Sequence, residues 1–515
     1  MTQHDSIMNA DSQTSDARNV NKSHLGVLLI VAIPLFFSVL NASAVAVLLP
    51  EVGRDLSIGT GSLAWLMTGY LLVYGVAIPF YGRIADLYGT SRLFLFGLTV
   101  FALGSILSAV APNYPLLLGA RLIQAAGGAA IPGLGMAIAS RAFPAEKRGT
   151  VLGLISATIG LGAAVGPLLG GVMSDAFGWR SVFIITALAG LVIPFGLKIL
   201  SGDEERGDET LDVLGGILLA LLVSGALLAV SQGASSGWGS WQVGSSAGVS
   251  IAALITLAIR QKTVHFPFIP RELLRNRRYL LLVSIPFAAM ASNVAALFGL
   301  PLLLTSAHNL TVAQVGYVLL PGALLTAALG VVAGRLVDLI GAGIPVRVGV
   351  AMMLLAMLGL SSYAGSGVWL ISIFMAILGA GFALVNTPLA AVVSLVVRTQ
   401  VLALALSINS MLFFAGGSFG IALLTAIVIT RSGDSVSALN PLHSGQGVGF
   451  SDAFLLMAIP VIITMALSLG LPHKMREPAP AELQVTRTWV PNCSVPWAPE
   501  CEEGLAVAAA PAREA

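Results

Sequence analysis

Long, uninterrupted apolar runs are the feature that most restricts how this chain can fold. A helix rises ~1.5 Å per residue, so roughly 20 apolar residues cross the hydrocarbon layer of a bilayer. Fourteen such runs lie between residues 24 and 472, and only 10% of the chain is charged. A soluble domain carries about 25% charged residues to cover its surface. The sequence therefore predicts an all-α membrane protein with fourteen transmembrane helices in a lipid bilayer.

The segments that flank these runs are polar. Residues 1–23 are rich in Asp, Ser and Asn and predict a disordered N-terminus, and the first apolar run is too long for the core of a cleaved signal peptide. Residues 473–515 are rich in Pro, Ala and Glu and predict a disordered tail. Both cysteines, Cys493 and Cys501, lie in this tail without a metal-binding spacing. We therefore expect no metal and no cofactor.

The basic residues predict the orientation of the helices. With both termini in the cytoplasm, the outer loops contain only Arg54, Arg180 and Arg431 of the 26 Lys and Arg residues, and Arg121 lies within a span. This bias is the one that the positive-inside rule describes. The net charge of +2 and the scattered basic residues argue against nucleic acid as a partner. We predict a multi-pass protein of the plasma (inner) membrane with cytoplasmic termini, and we expect a monomer.

A short sequence occurs twice in the chain. Residues 82–89 read Gly-Arg-Ile-Ala-Asp-Leu-Tyr-Gly, and residues 334–341 read Gly-Arg-Leu-Val-Asp-Leu-Ile-Gly. Each copy follows the second helix of a six-helix half, as in transporters that are built from two repeated bundles. The predicted architecture is an N-terminal bundle over 24–200, a connector with two extra transmembrane helices over 201–278, and a C-terminal bundle over 279–472.

Several motifs together resemble those of the major facilitator superfamily. Residues 82–92 are similar to its loop signature, 121–127 to its fourth-helix signature, and 162–171 to the fifth-helix signature of its antiporters. The resemblance covers roughly residues 24–472 and is strongest to the fourteen-helix drug:proton antiporters. Further elements of the chain that fit this group are Trp65, Tyr70, Asp212 and 270–278.

Within that group, the chain looks most similar to the Gram-positive tetracycline exporters. The similarity rests on two short stretches, 36–41 and 144–149. It implies the major facilitator fold, with two six-helix bundles and two extra central helices.

The resemblance implies a gating role for the two loop copies, because this loop holds the cytoplasmic side together in the family. An aspartate at this position can cap a helix N-terminus or pair with an arginine of another segment. An ordinary tight turn with a solvated charge pair is the alternative, and the second copy disfavours it. The residues assigned to gating are Gly82, Arg83, Asp86, Gly89, Arg92, Gly334, Arg335 and Asp338.

Arg121 is the basic residue that no choice of span boundaries moves to an interface. A charge in the middle of a span costs at least ~2.5 kcal/mol, so an intramembrane arginine indicates function. Gln124 lies one turn along on the same helix face. The resemblance implies that this arginine assists proton transfer. The alternatives are a structural arginine that is hydrogen-bonded to backbone carbonyls and an arginine whose side chain snorkels to the membrane interface.

Three glycines on the predicted fifth helix recur every four residues and line one face. Gly162, Gly166 and Gly170 form the small-xxx-small pattern that allows close helix packing, and Pro167 is expected to bend the helix. The resemblance to antiporters implies that this face supports coupling together with Arg121 and Gln124.

Neutral side chains are predicted to form the central site. The acidic residues all fall in predicted loops, tails or span ends, and no histidine lies in a predicted span. Proton coupling is therefore implied by the resemblance alone. A set of amides, tyrosines and aromatic rings suits a bulky amphipathic or cationic molecule. The predicted substrate-binding residues are Asn41, Tyr70, Tyr74, Asn293, Asn386, Asn409 and Phe413.

Together with the resemblance, these observations predict an exporter of drugs or antibiotics, multidrug or tetracycline-like, that works by alternating access. The resemblance implies that it exchanges substrate for protons. The first alternative is a metabolite or siderophore exporter or facilitator without proton antiport, which the lack of carboxylates within the spans favours. The second is a non-transporting membrane sensor, which the retained loop copies disfavour. An enzyme is not expected, because the sequence shows no phosphate loop, no metal-ligand cluster and no nucleophile beside a base.

Overall fold

The computed structural model of the chain describes residues 4–57, 60–200, 211–310, 312–431, 437–443 and 446–470. The acidic part of the predicted connector and the predicted disordered tail lie outside the described residues. Every regular element in the described part of the chain is helical, and the bounds of the α-helices are α1 His4–Asp55, α2 Thr60–Tyr88, α3 Thr90–Ala109, α4 Tyr114–Gly128, α5 Ala130–Ala142, α6 Ala145–Phe177, α7 Arg180–Ala187, α8 Ile193–Ile199, α9 Val213–Ser236, α10 Trp241–Thr263, α11 Arg271–Arg275, α12 Arg277–Ser306, α13 Val312–Ile340, α14 Gly343–Tyr363, α15 Val368–Val396, α16 Leu402–Arg431 and α17 Val448–Leu469.

The number of membrane-spanning helices agrees with the prediction. Thirteen helices in the described residues are long and apolar enough to cross a membrane, and the bent helix α6 makes a fourteenth when its two halves are counted as one span. Helices α4 and α5 together form one span, Tyr114–Ala142, and α7 and α8 form another, Arg180–Ile199, with a short 3₁₀ turn between them. The fold is therefore an all-α, multi-pass membrane fold, as predicted.

Helix α6 bends where the sequence predicts a bend. Its segments Lys147–Ala163 and Leu168–Phe177 meet at an angle of 45°, and the break between them contains position 167. Proline cannot donate the backbone hydrogen bond of a helix, and its ring pushes away the preceding turn. Proline at this position accounts for the break.

Helix α1 begins at His4, well before the predicted start of the first span. The expectation of a disordered segment over 1–23 differs from the structure in this respect. Because residues 4–25 contain neither Gly nor Pro, helix can propagate from the apolar span into the polar lead at little cost once it is nucleated.

The helices pack as two six-helix bundles with two extra helices between them in the chain. The N-terminal bundle consists of α1 to α8, and the C-terminal bundle of α12 to α17. The bundles contact each other chiefly where α2 packs on α16 and where α6 packs on α13. The extra helices α9 and α10 pack together, and α9 also contacts α2 and α16. One helix of the connector therefore touches both bundles.

Large apolar side chains cover the outside of the helices. Trp241, Leu197 and Leu191 are 77%, 69% and 66% exposed. A water-soluble monomer rarely leaves large apolar patches on its surface, because the hydrophobic effect drives them together. Hydrocarbon chains are the solvent that suits this surface, so lipid surrounds the bundles.

Candidate functional site

Asp86 ties the end of α2 to the beginning of α16. Its carboxylate oxygens accept hydrogen bonds from the backbone N–H groups of Ala403 at 3.0 Å and Leu404 at 2.9 Å. The first N–H groups of a helix have no partner inside the helix and carry the positive end of its dipole. The Asp86 carboxylate satisfies two of these groups in the other bundle. We call this contact the first latch.

Arg141, at the end of α5, completes the first latch. Its guanidinium donates to the hydroxyl of Thr90 at 2.6 Å and to the carbonyl oxygen of Thr399 at 3.0 Å, and it lies 3.5 Å from the Asp86 carboxylate. From the sequence alone, Arg141 is one of many cytoplasmic basic residues. A basic residue in the last turn of a span is the signal that points to it.

Two glycines of the 82–89 loop permit the first latch to form. A Cβ atom on Gly82 would lie 2.6 Å from the Cβ of Ser407 and 2.8 Å from the Cα of Leu404, so only glycine allows α2 and α16 to approach so closely. Gly89 has φ 106°, a conformation that side chains rarely adopt. This turn directs the chain from α2 into α3.

The second loop copy makes the corresponding contact between α13 and α6. Asp338 accepts hydrogen bonds from the backbone N–H groups of Gly149 at 2.9 Å and Thr150 at 2.8 Å, and from the hydroxyl of Thr150 at 2.6 Å. Gly334 packs against the backbone of Gly149, and Gly341 has φ 81°. We call this contact the second latch, and it repeats the first in both chemistry and position.

The three remaining predicted gating residues lie at the same end of the molecule. Arg83 is buried and only 2% exposed, whereas Arg92 and Arg335 are exposed. We call this end, which both latches share, the latch end.

A buried polar network surrounds Arg121 inside the N-terminal bundle. Its Nη1 donates to the side-chain oxygens of Asn41 and Gln124, both at 2.6 Å. Gln124 donates onward to the Ser105 hydroxyl at 2.7 Å, and Asn41 donates to the Thr186 hydroxyl at 3.3 Å. The network links α1, α3, α4 and α7, and Arg121, Asn41 and Gln124 are at most 1% exposed.

The groups that surround the positive charge of Arg121 are neutral. Its guanidinium carbon lies 4.1 Å from the ring centre of Tyr70, which is a cation–π distance, and 5.8 Å from that of Phe183. Its Nε and Nη2 atoms have no hydrogen-bond partner within the part of the chain that the structure describes. No carboxylate there forms an ion pair with it.

The glycine face of α6 packs against α1. A Cβ atom on Gly162 would lie 2.9 Å from the carbonyl oxygen of Phe36, and one on Gly170 would lie 3.0 Å from the Cβ of Ala44. Between them, Gly166 leaves space for the side chain of Ser43. The close packing that the small-residue pattern predicts is therefore present, and its partner is α1.

A chain of aromatic rings crosses from the N-terminal to the C-terminal bundle. Tyr70 stacks on Tyr74 with 5.7 Å between ring centres, and Tyr74 meets Phe414 edge-on at 5.2 Å. Phe414 contacts Phe413 at 5.4 Å, and Phe413 contacts Phe382 at 6.0 Å. The rings lie on α2, α16 and α15. They bring three predicted site residues into one array and add Phe414 and Phe382.

The predicted amides lie in different surroundings. Asn41 is fully buried, and both ends of its amide are bonded inside the N-terminal bundle. Asn293 and Asn409, on α12 and α16, are 6% and 4% exposed, and Asn386 on α15 is half-buried. The Oδ1 atom of Asn409 has no hydrogen-bond partner among the described residues. Asn409 therefore retains an acceptor for a ligand, whereas the amide of Asn41 is already occupied.

Ion pairs fasten the end opposite the latches. The Asp55 carboxylate accepts hydrogen bonds from Arg180 at 2.8 Å and the Trp179 indole at 3.0 Å, and these bonds hold the pKa of Asp55 below its usual value. In the other bundle, the fully buried Asp452 accepts from Arg431 at 2.8 Å. From the sequence alone, Asp452 is an acidic residue near a span end, and no local pattern predicts this pairing.

Asp212 anchors the connector. Its carboxylate caps α9 by accepting from the N–H of Gly215 at 2.9 Å, and it pairs with Arg260 at 2.7 Å. It also accepts from the N–H of Phe268 at 3.3 Å. Although burial acts to raise the pKa of Asp212, these hydrogen bonds outweigh it and hold the pKa below the usual value.

Two pseudo-symmetric helical bundles with matching contacts at one end define a secondary membrane transporter. The family model of the Major Facilitator Superfamily matches residues 31–421. The chain belongs to this superfamily of transporters, as its motifs predict.

Characterised relatives agree with this membership. The chain is 30% identical over 419 residues to the multidrug resistance protein Stp of Mycobacterium tuberculosis, covering 79% of this chain and 76% of that protein. It is 30% identical over 466 residues to the cephamycin export protein CmcT of Amycolatopsis lactamdurans, covering 88% and 93%. It is also 30% identical over 370 residues to the riboflavin transporter RibZ of Clostridioides difficile, covering 70% and 79%.

A solved structure shares the fold. The human organic anion transporter MFSD10 superposes with a TM-score of 0.64 at 14% identity, covering 86% of this chain and 99% of that chain. At this level of identity the likeness supports the fold alone.

Proposed function

We propose that the protein exports hydrophobic or amphipathic compounds, drugs and antibiotics among them, from the cell by alternating access. The observation that carries the proposal is the array of aromatic rings from Tyr70 to Phe382, which joins the two bundles. Aromatic faces and nearby amides suit large, partly apolar molecules, because ligand sites combine apolar walls with a few polar groups. Relatives that are named as multidrug and cephamycin exporters support the same substrate class.

The two latches supply the gate in this proposal. The carboxylates of Asp86 and Asp338 each hold a helix N-terminus of the opposite bundle, so the latch end is closed while both contacts persist. Breaking them frees the bundles to rock about the central site. This motion opens the latch end and exposes the central site to the solution on that side. The orientation rests on the basic residues: the latch end faces the cytoplasm and both termini lie on that side of the plasma membrane.

Efflux from a host that lacks its own pumps tests this function. Cells that produce the protein are expected to accumulate less of at least one compound from a panel of amphipathic antibiotics. The double variant Asp86→Asn with Asp338→Asn is expected to lose this effect while reaching the membrane in equal amount. Asp55→Asn, which removes a carboxylate at the opposite end, serves as the control. Unchanged accumulation across the whole panel would contradict the proposal.

Coupling to protons is the finer part of the proposal, and the resemblance to drug:proton antiporters supports it. We propose that two features transmit the coupling. They are the network of Arg121, Asn41 and Gln124 and the glycine face on α6. Any single residue of this set acts through helix packing and hydrogen bonds rather than through substrate contact.

A second candidate is export or facilitated diffusion of a metabolite without proton exchange. The observation that favours it is the Arg121 network, in which neutral amide oxygens occupy the positions where a titrating carboxylate would be expected. The relative named as a riboflavin transporter fits a metabolite substrate. Purified protein in liposomes separates the two candidates. Transport that is equally fast with and without a pH gradient supports the second, and transport that depends on the gradient supports the first.

A further inference from the structure

A cavity of about 370 Å³ opens at the latch end, and three separate parts of the chain form its walls. The N-terminal bundle contributes Arg83 of α2. The connector between α10 and α12 contributes residues 265–272. The C-terminal bundle contributes residues 398–401, between α15 and α16. We call this cavity the connector pocket. The polar and charged residues among its lining are Arg83, His265, Arg271, Glu272, Arg398 and Gln400.

The connector pocket carries an excess of positive charge. Three arginines and a histidine line it, against the single carboxylate of Glu272. Arg398 lies 3.5 Å from that carboxylate, but its side chain is 79% exposed, so the pair is weak and water screens it. A guanidinium stays protonated at any physiological pH. A concave surface lined by one sign of charge concentrates the field and attracts the opposite charge.

The wall that the connector forms is held in place. Arg271 donates to the carbonyl oxygens of Gln261 at 2.9 Å and Val264 at 2.8 Å, closing the end of α10. Phe268 is fully buried and packs against Phe80 of α2 with 5.2 Å between ring centres. These contacts hold Arg271 and the segment around Phe268 in place without a ligand.

The walls of the pocket cannot stay together when the first latch opens. Arg83 lies three residues before Asp86, and residues 398–401 immediately precede the helix whose N-terminus Asp86 holds. Opening that contact therefore moves Arg83 away from Arg398. A ligand that touches both arginines binds only to the closed latch end, and binding to one state shifts the population toward it.

We propose that the connector pocket binds a phosphate group and that its occupancy stabilises the closed state of the latch end. A phosphate matches arginine in charge and in hydrogen-bond geometry. The phosphate belongs to the headgroup of an anionic lipid or to a small soluble phosphate, since the pocket lies near the predicted membrane surface. This inference goes beyond the export function and holds whichever compound is transported.

Thermal unfolding of the purified full-length protein in detergent tests the binding. The probes are dioctanoyl phosphatidic acid, inorganic phosphate, and dioctanoylglycerol as the phosphate-free control. We expect phosphatidic acid to raise the unfolding temperature and dioctanoylglycerol to leave it unchanged. A rise with phosphatidic acid alone identifies a lipid headgroup, and a rise with inorganic phosphate as well identifies a soluble phosphate. No rise with either phosphate compound would overturn the proposal.

A matched pair of variants locates the site. Arg398→Gln removes an exposed pocket arginine and is expected to weaken the apparent affinity about tenfold, as the loss of one charge-assisted hydrogen bond does. Arg275→Gln removes an exposed arginine of the neighbouring basic segment that does not line the pocket, and is expected to leave the affinity within about twofold. Equal weakening by both substitutions would show diffuse attraction to the basic segment and would overturn the pocket.

A second readout follows the occupancy of the pocket. In a background with Cys493→Ser and Cys501→Ser, a Gln400→Cys variant places a thiol in the pocket wall. Bound phosphatidic acid is expected to slow alkylation of this thiol, and Arg398→Gln is expected to remove the protection. Alkylation that proceeds at the same rate with and without the lipid would contradict occupancy of the pocket.

Discussion

Asp338 accepts hydrogen bonds from both the backbone amide and the hydroxyl of Thr150, at 2.8 Å and 2.6 Å. The two residues belong to different bundles and are joined only because the last turn of α13 meets the first part of α6. Asp86 makes the equivalent contact with α16. Each bundle therefore holds the N-terminal part of a helix of the other through a carboxylate, and both contacts lie at the latch end.

Removing one latch carboxylate is expected to loosen the latch end. Asp338→Asn keeps the shape of the side chain but loses its charge, which weakens hydrogen bonds worth about 1.5–3 kcal/mol. A change of ~1.4 kcal/mol shifts an equilibrium about tenfold. Ser394 is buried at the same end. A cysteine in its place, in the background without Cys493 and Cys501, reports the opening. We expect alkylation of this thiol to accelerate about tenfold.

The same reporter in Asp55→Asn is the control, because Asp55 lies at the opposite end. Its alkylation rate is expected to match that of the unsubstituted background. An alkylation rate in Asp338→Asn that does not differ from this control would show that the carboxylate does not hold the bundles together.

Supplying a carboxylate to Arg121 is expected to stabilise the N-terminal bundle. Asn41→Asp places a negative charge where an amide oxygen now lies 2.6 Å from the guanidinium. A buried charge is strongly destabilising while unpaired and much less so when paired. We expect the thermal unfolding temperature in detergent to rise by a few degrees. Asn293→Asp, a similarly buried substitution in the C-terminal bundle, is expected to lower it.

The glycine face on α6 gives a position-specific prediction. A methyl group on Gly166 would meet the Ser43 side chain and would lie 2.9 Å from the carbonyl oxygen of Leu40, so Gly166→Ala pushes α1 and α6 apart. Overpacking of this kind costs about 1–3 kcal/mol. Gly171 on the same helix has open space around it, so Gly171→Ala is expected to be neutral or stabilising. Thermal unfolding of the two variants makes the comparison, and equal stabilities would refute the close contact.

The anchor of the connector is expected to respond to acid. The pKa of Asp212 lies below its usual value, so the stability that its carboxylate contributes is fully present above that usual value, near 4. It is lost as the pH falls through the pKa of the folded state. Asp212→Asn lacks this titration and is expected to show a flatter dependence of unfolding temperature on pH. Superimposable profiles for the variant and the unsubstituted protein would contradict this account of Asp212.

Much of the architecture follows from local sequence patterns. Apolar runs define the fourteen spans, the repeated loop defines two bundles, and the proline at position 167 marks the bend in α6. These features depend on residues that are close in the chain, so periodicity and motif reading are sufficient to find them. Gly89 is found in the same way, because the turn it forms is local, whereas the close contact that requires Gly82 is with α16 of the other bundle.

The partners of the site residues do not follow from local patterns. Asp86 caps α16 rather than the next helix in the chain, and Arg141 reaches the carbonyl of Thr399 in the other bundle. Such pairs depend on how helices from distant parts of the chain pack together. The same reason explains why Asp452 is fully buried against Arg431 although the sequence shows only an acidic residue near a span end. Asn41 likewise reads as a cavity residue until its neighbour Arg121 is located.

The most direct test of the gate is the distance across the latch end. Tyr88 on the N-terminal bundle and Leu339 on the C-terminal bundle are both exposed. Each is replaced by a cysteine that carries a spin label, and pulsed electron paramagnetic resonance measures the separation of the two labels. The background lacks Cys493 and Cys501. We predict one short distance in the protein with both latches. The double variant Asp86→Asn with Asp338→Asn is predicted to show a second, longer distance. An identical distance distribution in the two proteins would contradict a gate held by these two carboxylates.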